Sequence, residues 1–196
     1  MPEMTLLEKI FVNSKLQYIY HKWFGISRLL QFADGGQADQ ILELGCGIGM
    51  TTDFIASEFP DAKISALDYD AGQVRIARRN HPAHTVDFIQ GDATHLEFDD
   101  ESFDIIFQVF AFHHIPDYKK AMAEVHRTLK PNGRFLCLDI PVKSYNPLSE
   151  WITFQPAEFT KREYMDHLEQ LGFHINRLKG LGIFLVEAVK RQPGTP

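Results

Sequence analysis

Long apolar runs are missing from this sequence. No stretch approaches the roughly 18 consecutive apolar residues of a membrane span. The chain opens Met1-Pro2-Glu3, without a basic start or an apolar core, so no signal peptide is expected. Cysteine is scarce: Cys46 lies in a glycine-rich stretch and Cys137 in an apolar one. Two thiols in unrelated contexts do not make a disulfide framework, and a reducing cytoplasm is the expected compartment. Positive charge is in deficit, with a formal net charge of −6 and a pI of about 5.8. The longest basic clusters, Arg75-Ile76-Ala77-Arg78-Arg79 and Lys119-Lys120, read as solvated helix faces. No clustered basic face is offered to nucleic acid. Internal repeats and low-complexity segments are absent too. Histidine is abundant but scattered. His81-x-x-His84 has a possible metal-ligand spacing, but it spans a proline, lies outside any helical pattern and lacks a Cys or acidic partner nearby, so no metal site is expected.

What is present suits one globular domain of ordinary core size, 44% hydrophobic and 23% charged. Strand-like and helix-like segments alternate, the pattern of a parallel sheet with helices on both faces. Ile41-Leu42-Glu43-Leu44 reads as the first strand, and Met50 to Phe59 as a helix ended by Pro60. Lys63 to Asp68 is the second strand, and Asp70-x-x-Gln73 opens a helix to about Asn80. Val86 to Gln90 is the third strand. Asp104 to Val109, nearly all apolar, is a buried central fourth. Asp117 caps a helix that stops at Pro131-Asn132-Gly133, and Arg134 to Ile140 is the fifth strand. Thr160-x-x-Glu163 opens a last helix ending at Gly172. Phe173 to Leu178 and Ile183 to Val189 are joined by a short glycine-bearing link, which predicts a hairpin.

Two segments stand outside this alternation. Residues 1–36 hold a capped helical stretch and the aromatics Tyr18, Tyr20 and Trp23, and Gly35-Gly36 separates them from the sheet. We read them as an N-terminal helical cap on a domain of residues 37–196. Residues 141–157, with three prolines, Tyr145 and Trp151, read as a second, short cap.

The chemistry gathers where strands end. Glu43-Leu44-Gly45-Cys46-Gly47-Ile48-Gly49 runs from the first strand into a helix through three glycines at alternate positions. Glycine lets the backbone turn sharply and lie against a ligand. The acid at Glu43 would repel a pyrophosphate but not a ligand carrying an amino group or a sulfonium. Asp68 ends the second strand, Gly91-Asp92-Ala93 follows the third, and Gln108 to His114 follows the fourth. In an open sheet these ends converge on one crevice. A carboxylate at Asp68 accepts from two ribose hydroxyls. Asp92 accepts from an adenine amine, the backbone N–H of Ala93 donates to a ring nitrogen, and Tyr69 covers a ring face. Each has a plainer alternative: Asp68 as a strand-end acid, Asp92 as the cap of its own turn, Cys46 as packing.

The combination resembles the class I S-adenosylmethionine (SAM)-dependent methyltransferases, over about residues 40–190. The closest likeness is to the small-molecule enzymes of ubiquinone and menaquinone biosynthesis. It rests on Glu43 to Gly49, Asp68, Gly91-Asp92-Ala93, Phe103-Asp104-Ile105-Ile106, Phe112-His113-His114-Ile115 and Leu129-Lys130-Pro131-Asn132-Gly133-Arg134. The chain departs from the quinone enzymes in a shorter region around the cap, so a quinone acceptor is not carried over. The resemblance implies a Rossmann-like α/β fold: a mostly parallel seven-stranded sheet with helices on both faces and a C-terminal antiparallel hairpin. It implies SAM as cofactor, held by Glu43, Gly45, Cys46, Gly47, Gly49, Asp68, Tyr69, Asp92, Ala93 and Gln108.

The expected activity is methyl transfer from SAM to a small molecule. The aromatics Tyr18, Tyr20, Trp23, Tyr145 and Trp151 are the expected lining and point to an apolar or aromatic acceptor. His113 is the first candidate base and Asp139 the second. A homodimer is compatible with this reading. One rival is a non-catalytic SAM-binding or regulatory protein on the same fold. The other is an NAD-dependent oxidoreductase, whose G-x-G-x-x-G would place the third glycine one residue later.

Overall fold

The structure, a computed structural model, describes residues 26–33, 37–81, 86–141, 159–180 and 182–192. Tyr18, Tyr20, Trp23, Tyr145 and Trp151, and with them most of both expected caps, lie outside the described residues.

A seven-stranded sheet organises the chain. Its strands are β1 (Gln40–Leu44), β2 (Lys63–Asp68), β3 (Val86–Gln90), β4 (Phe103–Val109), β5 (Leu129–Asp139), β6 (Phe173–Lys179) and β7 (Phe184–Lys190). They lie in the order β3-β2-β1-β4-β5-β7-β6. The first five are parallel, and β7 runs antiparallel between β5 and β6. The expected hairpin therefore exists, and its second strand is the one inserted beside β5. This is the Rossmann-like arrangement that the resemblance implies.

Side-chain alternation along the strands assigns the two faces. In β5, Phe135 and Cys137 join one core cluster, while Leu136 and Leu138 join another. The first cluster packs α4 (Tyr118–Thr128) and α5 (Lys161–Gln170) through Met122, Val125, Tyr164 and Leu168. The second packs α1 (Ser27–Ala33) and α2 (Met50–Glu58) through Leu29, Phe32 and Ile55. A smaller cluster under α3 (Ala71–Asn80) joins Val74 and Ala77 to Ala66 and Phe88. Strand β4, apolar on both faces, lies at the centre of the sheet. The described end of the expected N-terminal cap is part of the core: α1 buries Leu29, Phe32 and Ala33 on the sheet. Arg134 also donates to the carbonyl of Ala33 at 2.8 Å.

Local signals set the helix ends. Asp70 accepts from the backbone N–H of Gly72 and Gln73, and Asp117 accepts from that of Lys120. Thr160 and Glu163 form the reciprocal capping box expected of their spacing. One boundary differs. Helix α4 ends at Thr128, and strand pairing starts at Leu129, opposite Phe103, before a register shift restores it at Ile105 and Arg134. The Lys130-Pro131-Asn132-Gly133 turn thus lies inside the strand rather than before it. Asn132 takes φ +63°, and a Cβ on Gly133 would come within 2.7 Å of the Lys130 carbonyl. Burying Leu129 completely outweighs one more turn of helix.

The hairpin link depends on one glycine. Gly180 has φ +96°, and a Cβ there would lie 1.9 Å from the Ile183 carbonyl oxygen. Gly180→Ala is expected to lower stability by about 1–3 kcal/mol. Gly182→Ala, whose Cβ meets nothing within 4 Å, should change it little. Urea denaturation of the two variants checks this.

Candidate active site

The carboxyl ends of the parallel strands are tied to one another in sheet order. After β1 the chain turns through Gly45, Gly47 and Gly49, all at positive φ (+77°, +55° and +89°), which side-chain-bearing residues rarely adopt. Gly45 and Cys46 donate their N–H groups to the Leu67 carbonyl at 2.8 and 3.1 Å. A Cβ on Gly45 would lie 2.4 Å from that of Ala111, so the loop after β4 rests directly on the glycine loop. A Cβ on Gly47 would meet nothing within 4 Å among the described residues, so space opens above it there. The Cys46 side chain is buried in the cluster under α3, and burial pushes its thiol well above the ordinary range. It packs, and its thiol donates to the Gly47 carbonyl at 3.8 Å.

Asp68 joins the second loop to the first. Its Oδ2 accepts from Gly47 N–H at 2.8 Å and its Oδ1 from Asp70 N–H at 2.9 Å. Its own carbonyl accepts from Gly91 N–H at 3.0 Å and so brings in the third loop. There Asp92 Oδ1 accepts from both the N–H and the hydroxyl of Thr94, at 2.8 and 2.9 Å. Asp92 therefore does cap its own turn. Ala93 is buried, and Tyr69 is half-buried beside Asp68.

Glu43 lies beneath the glycine loop, 1% exposed. The Thr52 hydroxyl donates to its Oε2 at 2.5 Å, while Oε1 has no partner among the described residues. Burial, reinforced by Asp68 and Asp53, raises its pKa from 4.5 to about 8, against the Thr52 bond. Thr52 carries no sequence signal for this role. It meets Glu43 only because α2 folds back over β1.

The loop after β4 builds the other half of the site. Phe110 adopts φ +50°, a strained conformation for an aromatic residue. A 3₁₀ turn over Phe112–His114 follows. It carries His113, 6% exposed, to Asp139 at the end of β5, with Nδ1 2.6 Å from Oδ1. Asp139 is fully buried and accepts from three further donors. Ile140 N–H reaches Oδ1 at 2.8 Å, while Gln108 Nε2 and Phe112 N–H reach Oδ2 at 3.0 and 3.1 Å. Gln108 is sealed as well: its Oε1 accepts from the Cys137 thiol at 2.7 Å. Cys137 Sγ in turn lies 3.1 Å from the Tyr164 hydroxyl on α5. His113 and Asp139, expected as separate candidates, form one pair. Gln108, expected against a ligand, has both ends of its side chain engaged inside the protein. Cys137 was legible only as a thiol in an apolar stretch, and Tyr164 went unnoticed, because nothing local marks a buried thiol or tyrosine as polar-networked.

Comparison with known proteins fits this geometry. Residues 42–137 match the model of a family described as a methyltransferase domain. The matched stretch, just under half of the chain, is that of a methyltransferase domain. The chain is 34% identical over 112 residues to the phthiotriol/phenolphthiotriol dimycocerosates methyltransferase of Mycobacterium tuberculosis, covering 57% of this chain and 41% of that protein. It is 35% identical over 114 residues to the fatty-acid O-methyltransferase of Mycolicibacterium smegmatis, covering 56% and 42%. The match thus spans about two fifths of these curated relatives. Among solved structures, a Haloferax volcanii complex of the Trm112 methyltransferase activator with a methyltransferase gives a TM-score of 0.82 at 19% identity. It covers 97% of this chain and 100% of that one, a likeness of fold.

Two features fit SAM to the methyltransferase domain. SAM carries an ammonium and a sulfonium, and Glu43 Oε1 is a buried carboxyl oxygen without a partner among the described residues. The glycine loop leaves open space where a side chain on Gly47 would project. No helix among the described residues is long and apolar enough to cross a membrane.

Glu43 also makes stability depend on pH. Its folded carboxyl keeps its proton up to about pH 8, while the unfolded one releases it near 4.5. The unfolded state therefore binds fewer protons between these values, and stability falls as pH rises through that window. Glu43→Gln is expected to flatten this slope. Thermal melts of both proteins from pH 5 to pH 8.5, without ligand, check it.

Proposed function

We propose that the protein transfers a methyl group from SAM to a small apolar acceptor of the lipid type. The observation that carries this reading is the tied rim of loops, with an open cradle at Gly47 and the partnerless Glu43 oxygen beneath it. Gly45, Cys46, Gly47 and Gly49 hold the methionine part through their backbone, and Glu43, protonated in the free protein, becomes the counter-charge to its ammonium when the approaching cation draws off that proton. Asp68 accepts from the ribose hydroxyls. Asp92 and Ala93 take the adenine edge, and Tyr69 covers one face. Gln108 is not retained as a ligand contact, since its amide is engaged at both ends.

SAM, when bound, supplies an electrophilic methyl group. The chain's residues align the acceptor against it and exclude water, and most of the acceleration comes from that alignment. His113 stands on the loop that touches the glycine loop through Ala111, and it is the group placed to take a proton. Asp139 orients it. The apolar acceptor is supported by the relatives, which are named for fatty-acid and dimycocerosate substrates. Tyr18, Tyr20, Trp23, Tyr145 and Trp151, aromatics outside the sheet, are its proposed lining.

Calorimetry is expected to show binding of SAM and S-adenosylhomocysteine. Asp68→Ala should weaken it by roughly 1–3 kcal/mol, because the ribose hydroxyls lose their acceptor. Absence of SAM binding by the wild type, or tight NAD binding, overturns the reading.

A further inference from the structure

The hydrogen bonds behind His113 have a fixed direction. Asp139 holds four donors and acts only as an acceptor, so the His113 nitrogen facing it, Nδ1, carries the ring proton. Gln108 presents its NH2 to Asp139, so its carbonyl faces Cys137 and accepts that thiol's single proton. Burial keeps the thiol protonated. The remaining contact then runs from the Tyr164 hydroxyl to Cys137 Sγ. From Tyr164 through Cys137 and Gln108 to Asp139, every donor points toward the carboxylate, and His113 points at it from the other side. No hydrogen bond to His113 Nε2 occurs among the described residues, and the ring of His114 lies 4.0 Å away, centroid to centroid. Asp139 and His114 are the described titratable groups in contact with His113.

In the neutral ring this arrangement leaves one lone pair, on Nε2, and it bears on the acceptor. A carboxylate acceptor is already ionised at neutral pH, since a carboxyl group titrates near 4. A neutral amine has its lone pair ready and sheds its proton after transfer. A hydroxyl needs help: a phenol titrates near 10, and an aliphatic alcohol, closer to water, holds its proton more tightly still. We propose that the acceptor atom is a hydroxyl oxygen, and that Asp139 and Gln108 are positioning residues that hold His113 so that Nε2 receives its proton. The proposal rests on the methyl-transfer reading above. In the step, the O–H bond breaks and the proton passes to His113 Nε2. The oxygen's electron pair forms the bond to the methyl carbon. The methyl–sulfur bond breaks, and its pair stays on sulfur as a neutral thioether. The imidazolium then returns its proton to solvent.

The test has a ligand-free arm and a transfer arm. Nitrogen-15 NMR of the free protein should show His113 with Nδ1 protonated and Nε2 bare in the neutral ring. Asp139→Asn and Gln108→Leu should each shift that tautomer balance. An Nε2-protonated ring in the wild type overturns the proposal. In the second arm, with SAM binding first established by calorimetry, three probes of matched chain length are offered: an alkylphenol, an alkyl alcohol and a fatty acid. Transfer to a hydroxyl probe at least tenfold faster than to the fatty acid is expected. His113→Gln, which keeps a donor for Asp139, should cost 10²–10⁴-fold and remove the acidic limb of the pH profile. Asp139→Asn should move that limb. Transfer only to the fatty acid, methylation on carbon, or no transfer to either hydroxyl probe with SAM bound each overturns the hydroxyl assignment. Failure to bind SAM strikes instead at the reading beneath it.

Discussion

Complete burial of the Asp139 carboxylate is the constraint around which the acceptor side of this domain is arranged. A carboxylate taken out of water is costly unless donors replace its hydration. Four do so here, one from β4, two from the 3₁₀ turn and one from the residue after β5. Each donor is thereby fixed in place. The amide of Gln108 is turned inward, the backbone of Phe112 is drawn toward β5, and the His113 ring has one nitrogen committed. Phe110 accepts a strained backbone in the same short loop, and its N–H bonds the Leu138 carbonyl at 2.8 Å. The strain is tolerated because the bonds around it leave the loop no other course.

On the cofactor side three carboxylates are settled in three ways. Asp68 is half-buried and bonded to two backbone N–H groups, and this joins the glycine loop to the start of α3. Asp92 spends one oxygen on its own turn. Glu43 is buried with a single hydroxyl for company, and its charged form is disfavoured. The first two are stable without a ligand. The third avoids the cost of a buried charge by keeping its proton up to about pH 8.

Much of this was legible in the chain. Strand and helix alternation foretold the sheet, because the side-chain periods of the two elements differ and β4 is apolar on both faces. The three alternate glycines foretold a left-handed turn, since few other residues take φ values of +55° to +89°. The caps at Asp70, Asp117 and Thr160 followed from spacing alone. The Lys130-Pro131-Asn132-Gly133 stretch was legible as a turn but not as one held within a strand. Its place depends on Leu129 finding a buried site across from Phe103.

The sequence by itself determined which residues stand at strand ends, because periodicity and turn chemistry are local. It did not determine which way the side chains there point. Only the tertiary structure brought His113 to Asp139, set Thr52 over Glu43, and linked Tyr164 on α5 to β4 through Cys137. Each of these pairs joins different elements. Their geometry follows from how a helix or neighbouring strand packs on the sheet, and from the need of every buried polar atom to find a partner. Gln108 shows the difference most simply. Its position at the end of β4 was set by local pattern, but the side chain turned away from the crevice because a buried carboxylate and a buried thiol lay on the other side.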